Sequence, residues 1–172
     1  VVMVMLMVIT SLHMSHHHHE LSSIAAVMSS HVFGMYAFSV VSGRFADRFG
    51  RGPLIGAGSA VLVISCLTAT LSTEVAPLAF SLFLLGLGWN FCYVGGSTLL
   101  SDSLSQAERA RIQSVNDFVL TTLAGTGSAL SGLVFSTVGY AVMGYVSALV
   151  SLVLFGLSLR VTRAARREKS AW

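Results

Sequence analysis

The chain has 172 residues, 54% of them hydrophobic and only 10% charged, with a formal net charge of +3. A soluble domain carries about 25% charged residues, so this composition excludes an ordinary water-soluble globule and requires a lipid bilayer as solvent. The basic excess does not point to nucleic acid, because all ten Lys and Arg residues fall in three short segments, 44–51, 109–111 and 160–169, rather than along one continuous face.

A crossing helix needs about 20 mostly apolar residues. In chain order, residues 1–12 are apolar but short and read as the end of a span. HMSHHHHE, 13–20, reads as a solvated loop. Neighbouring histidines point in different directions, and only the spacing of His13 with His16 or His17 suits a shared metal on a helix. His13, His16, His17, His18 and His19 are therefore weak candidates, and no metal is expected. The second span is 21–43, with His31 about midway, where a buried neutral imidazole with one hydrogen bond and a proton-handling group are both possible roles. Next comes the charged turn GRFADRFGRG, 43–52, in which Gly50 and Gly52 permit positive φ and Pro53 starts the following helix.

The third span is 53–73 and the fourth 76–101, the latter opened by Pro77 and carrying Trp89, Asn90 and Tyr93 in its middle. Asn90 either bonds between helices or lines a cavity and orients a solute. Cys66 and Cys92 sit in apolar runs without metal spacing and read as small buried hydrophobes. After the loop 102–111 come spans 112–136 and 138–160. Asn116 and Asp117 begin the fifth span, where a carboxylate is either stabilised by the helix dipole or couples transport to a proton or substrate. A basic tail, 161–172, ends the chain.

Charge sets the topology. The loops at 44–52 and 102–111 and the tail hold every Lys and Arg and are expected inside. The opposite loops, 13–20, 73–77 and 136–139, hold none. An internal repeat is also visible. SGRFADRFG (42–50) and SGLVFSTVG (131–139) share Ser-Gly, six residues, then Gly, at an offset of 89. That offset lays the second span on the fifth and the third on the sixth, on opposite sides of the membrane, as in inverted repeats of secondary transporters. The fold class is all-α and polytopic: residues 1–160 form a six-helix half-bundle with an inverted 3+3 repeat, whose first span would continue upstream of Val1.

The stretch from Gly43 through Asp47, Arg48 and Gly50 to Arg51 resembles the G-x-x-x-D-R-x-G-R signature of the major facilitator superfamily, with Gly52 replacing the family's last basic residue. GLGWNFCYVGGSTLLSD (86–102) and ERARIQSVNDF (108–118) resemble the tenth span, inside loop and eleventh span of bacterial members. The resemblance implies the C-terminal half of a twelve-helix plasma-membrane transporter, with an N-terminal half as partner and the C-terminus cytoplasmic. It implies alternating-access transport of a small solute, with efflux of a small organic or drug-like compound the commonest role and coupling to protons a possible addition. Asp47 and the arginines of the turn would then latch the inside closed. The alternative is a membrane scaffold that transports nothing. No nucleophile elbow, phosphate loop or paired-carboxylate site is present, so neither an enzyme nor a cofactor is expected.

Overall fold

The computed structural model describes residues 2–102 and 104–169. Six helices follow one another: α1 (Val2–His16), α2 (Leu21–Tyr36), α3 (Ser39–Phe49), α4 (Arg51–Ala69), α5 (Val75–Asp102) and α6 (Gln106–Lys169). There is no strand among the described residues. In hydrocarbon every backbone N–H and C=O must be satisfied within the protein, and helices do this segment by segment. The stretches Leu21–Phe49, Arg51–Ala69, Val75–Asp102 and Gln106–Arg160 are long and apolar enough to cross a membrane, while α1 is a shorter apolar helix. α2 and α3 divide one span, and α6 joins two spans across Gly139, its one residue with non-helical φ/ψ.

Several boundaries differ from expectation. The loop expected at 13–20 is helical through His16. The charged turn at 44–52 is helical except at Gly50, and the loop expected at 136–139 shrinks to Gly139. These two glycines lie 89 residues apart and share one backbone state, φ 95 and ψ 161 at Gly50, φ 76 and ψ 174 at Gly139. Only glycine adopts that state at low cost, so one residue reverses the chain at both places, as the repeat requires. Gly52, expected to share the positive φ, is helical; a Cβ there would lie 2.5 Å from Thr162 Oγ1, so its role is close approach of α4 to the end of α6. Helix α6 continues through Lys169, so the start of the expected tail prolongs the last span; residues 170–172 lie outside the described residues.

α2 and α5 run parallel in near backbone contact. A Cβ on Gly34 would lie 2.4 Å from the Phe83 carbonyl oxygen, and one on Gly86 2.2 Å from that of His31. Between them Ser30 donates to the Ala79 carbonyl (2.9 Å) and His31 Nδ1 to that of Leu82 (3.0 Å). α4 runs antiparallel to α5, with Ser65 donating to the Ser81 carbonyl (2.7 Å), and antiparallel to the part of α6 beyond Gly139, where Gly56 faces Ser158 and Gly144 faces Thr70. α1 packs on α6 around Gly139: His16 meets Phe135, His13 stacks on Tyr140, and Thr10 shares a 2.9 Å hydrogen bond with the Tyr140 hydroxyl. Leu6, Ile9, Leu82, Leu85 and Met143 fill the core between these helices. These directions gather the ends at 49–51, 102–106 and 160–169, with all three Lys/Arg segments, at one end of the bundle.

Small residues let bilayer helices approach closely enough for dispersion and polar contacts to hold them. Gly86→Ala is accordingly expected to cost about 1–3 kcal/mol through forced separation of α2 and α5, measured as a lower melting temperature of the full-length protein in detergent. Gly125→Ala, whose Cβ would meet nothing within 4 Å, is expected to leave it unchanged or higher.

Candidate functional site

At the charged end, Arg51 is the first residue of α4 and Asp102 the last of α5. Each charge occupies the helix terminus that the macrodipole disfavours, and each is offset by the other: Arg51 Nε lies 2.8 Å from Asp102 Oδ2. Arg51 also approaches Asp47 Oδ1 (3.5 Å) and donates to the Ala46 carbonyl (3.1 Å), which ties α3, α4 and α5 together. Asp47 makes no capping bond to the start of α4. Arg48, expected to pair with a carboxylate or with lipid phosphates, lies over the Phe49 ring at 5.4 Å. Gly43 sits within α3 with open space where a Cβ would be. Of the signature residues, Arg51 is thus the hub, and Asp102 is a partner that the sequence reading did not single out. A carboxylate at a helix C-terminus was the available signal, since it needs a cation nearby.

The second span breaks between α2 and α3, and Asn90 closes the break. Its Nδ2 donates to the Met35 carbonyl (2.6 Å) and to Ser39 Oγ (2.9 Å), and its Oδ1 accepts from Ser42 Oγ. Asn90 is only 2% exposed. Of its two expected roles, the structure shows the hydrogen bond between helices, and Asn90 lines neither of the clefts bordered by Trp89 and Tyr93. His31 is also fully buried in the α2–α5 seam, bonded to Leu82. It lines neither of those clefts.

Trp89 and Tyr93, by contrast, are half-buried and stacked, with ring centroids 4.8 Å apart and an interplanar angle of 13°. They line two adjoining clefts of about 380 Å³ each, whose opposite wall is α6. Asn116 lines the first and Asp117 the second, so Trp89 and Tyr93, but not Asn90 or His31, share these walls with the expected coupling residues. Asp117 Oδ1 accepts from Gln113 Nε2 at 2.9 Å and from Asn116 Nδ2 at 3.4 Å. Met3, Tyr36 and Leu120 complete the walls and were not foreseen, because only packing of α1, α2 and α6 beside α5 brings them there.

At the opposite end the histidines disperse. His13 stacks on Tyr140, His16 meets Phe135 edge-on, His19 bonds to the Thr73 carbonyl, and His18 takes a left-handed turn conformation (φ 58). His17 packs edge-on against His13. Among the described residues no three His, Cys, Asp or Glu side chains converge as metal ligands.

The whole chain, residues 1–172, matches the family described as Major Facilitator Superfamily. The chain belongs to this superfamily. It is 35% identical over 156 residues to the uncharacterized MFS-type transporter YdeG of Bacillus subtilis, covering 90% of this chain and 36% of that protein. It is 30% identical over 146 residues to the riboflavin transporter RfnT of Brucella anthropi, covering 84% and 37%. It is 27% identical over 143 residues to the multidrug resistance protein MdtL of Shigella flexneri, covering 83% and 37%. The chain therefore spans a little over one third of the length of these relatives. As a Major Facilitator Superfamily member with apolar crossing helices, it is an integral membrane protein.

In this superfamily member the Asn90 clasp replaces backbone hydrogen bonds lost at the break. Asn90→Ala leaves the Met35 carbonyl and two serine hydroxyls short of a partner. The expected cost is about 1–3 kcal/mol, read as a lower melting temperature together with faster amide hydrogen exchange at residues 36–42.

Proposed function

We propose that residues 1–160 are one six-helix half, with 161–172 as a cytoplasmic tail, of a secondary transporter that moves a small organic solute by alternating access. The observation that carries this reading is the pair of clefts along α5 and α6. A stacked aromatic pair forms one wall, and Asn116 and Asp117 stand on the other, about three turns into α6. A cavity of about 380 Å³ is of ligand-pocket size, within the usual range of roughly 300–1,000 Å³. A second six-helix half would close its open side, and that half is the partner this reading requires. The relatives named as a riboflavin transporter and a multidrug resistance protein support a small organic solute, and the latter favours export. Proton coupling would use Asp117 as the group that gains and loses the proton.

Under this reading the Arg51–Asp102 pair belongs to the closed inner gate, because it bridges α4 and α5 at the charged end. With all Lys and Arg at that end, the positive-inside rule makes it the cytoplasmic end, in the plasma membrane of a bacterium. Two outcomes are expected. A cysteine-reactive, membrane-impermeant probe added to intact cells will label a cysteine placed at 73, in the opposite loop, and not one placed at 170; the reverse pattern would overturn the orientation. In proteoliposomes of the full-length protein, tested with riboflavin and a panel of small antibiotics, Asp102→Asn is expected to slow transport about fivefold by unbalancing the gate by ~1 kcal/mol, with solute binding retained. Failure of every solute to move under any ion gradient would leave a non-transporting scaffold as the better description.

A further inference from the structure

The cleft has a chemical character that selects a solute class. Trp89 and Tyr93 are one helical turn apart on α5 and their rings stack nearly parallel, so each covers one face of the other and the pair offers its π surface on the outer faces of the stack. Tyr36 meets Trp89 edge-on at 6.4 Å and supports it from α2. Across the cleft stands Asp117, with Asn116 beside it. Both Gln113 and Asn116 donate to the same carboxylate oxygen, Oδ1. They hold the carboxylate in one orientation and leave the acceptor capacity of Oδ2 unspent. Among the described residues no Lys, Arg or His lines either cleft, and most of the remaining wall is apolar: Met3, Leu62, Leu120, Val150 and Leu154. A carboxylate at such a place is costly without a countercharge. A flat aromatic ring fits the π surface by offset stacking. A positive charge on that ring gains from the same faces, and an N–H at its edge makes a charge-assisted bond to a carboxylate.

We propose that this cleft is a subsite for planar aromatic cations that carry N–H donors, with Trp89 and Tyr93 as the stacking wall and Asp117 as the counter-ion. The proposal rests on the transport reading above, in which this cleft is the solute site. Anionic solutes are disfavoured by the uncompensated carboxylate, and non-planar cations gain the charge term but forfeit the stack.

The test is equilibrium binding to the full-length protein in detergent, with three probes: proflavine (planar, cationic, amino N–H donors), lumichrome (planar, neutral) and tetraethylammonium (cationic, non-planar). Saturable proflavine binding is expected, weakened about tenfold by Trp89→Ala through loss of the stack. Asp117→Asn is expected to weaken proflavine about tenfold while leaving lumichrome within about twofold, and Asp117→Glu to retain most proflavine affinity. Tetraethylammonium is expected not to displace proflavine. Absence of proflavine binding, equal weakening of both planar probes by Asp117→Asn, or insensitivity to Trp89→Ala would each overturn the subsite. The two readings fail separately. Proflavine that binds as described but never crosses proteoliposomes under any gradient, in company with every other solute, overturns transport and leaves the subsite standing. Transport of another solute by a protein that does not bind proflavine overturns the subsite alone.

Discussion

The seam between α2 and α5 is the constraint from which the rest of the structure follows. Two parallel helices meet there with glycine opposite backbone, at Gly34 and Gly86, so closely that neither position has room for a methyl group. Lipid supplies no hydrophobic force to press helices together, so the contact depends on dispersion at short range and on polar groups that bond from one helix to the other. Ser30, His31 and Asn90 fill that role in succession along the seam, each bonded across it. Because α5 also carries Trp89, Tyr93 and Asp102, the seam sets the position of both the cleft wall and the charged end.

Asn90 shows how one polar group can serve a discontinuity. A helix interrupted in hydrocarbon frees backbone groups that must be satisfied again, and the amide does so with both its donor and its acceptor. The 89-residue repeat sharpens the comparison. The corresponding stretch of α6, around Thr126 and Gly127, is an unbroken helix, while the reversal glycines 50 and 139 are alike. The two triplets of helices therefore share their turns but not their interior breaks.

At the charged end, Arg51 and Asp102 are each at the wrong helix terminus for the dipole, and their pairing removes both mismatches at once. An exposed pair of this kind is worth little as a stabiliser. That modest strength suits a contact proposed to form and break, since a gate held by several kcal/mol would not cycle. The proposed solute site lies on the same helix, toward the middle of the span, so a shift of α5 would be felt at both places.

The sequence by itself determined the solvent, the all-helical membrane class, the segregation of Lys and Arg into three short segments, Gly50 as a point of reversal and the family. These are properties of local composition and spacing: apolar length, where Lys and Arg are tolerated, and which residue can hold a positive φ. It also marked Trp89 and Tyr93 in the middle of the fourth span, and Asn116 and Asp117 at the start of the fifth. Only the tertiary structure decided which of them share a space. Asn90 is adjacent to Trp89 in the chain, yet it faces the seam while Trp89 faces the cleft, because successive residues on a helix point about 100° apart and the orientation of α5 is set by its neighbours. Asp102 likewise acquired its partner, and the histidines lost their apparent cluster, through packing between segments far apart in the chain. Contacts of that kind depend on how whole helices dock, which no local pattern encodes.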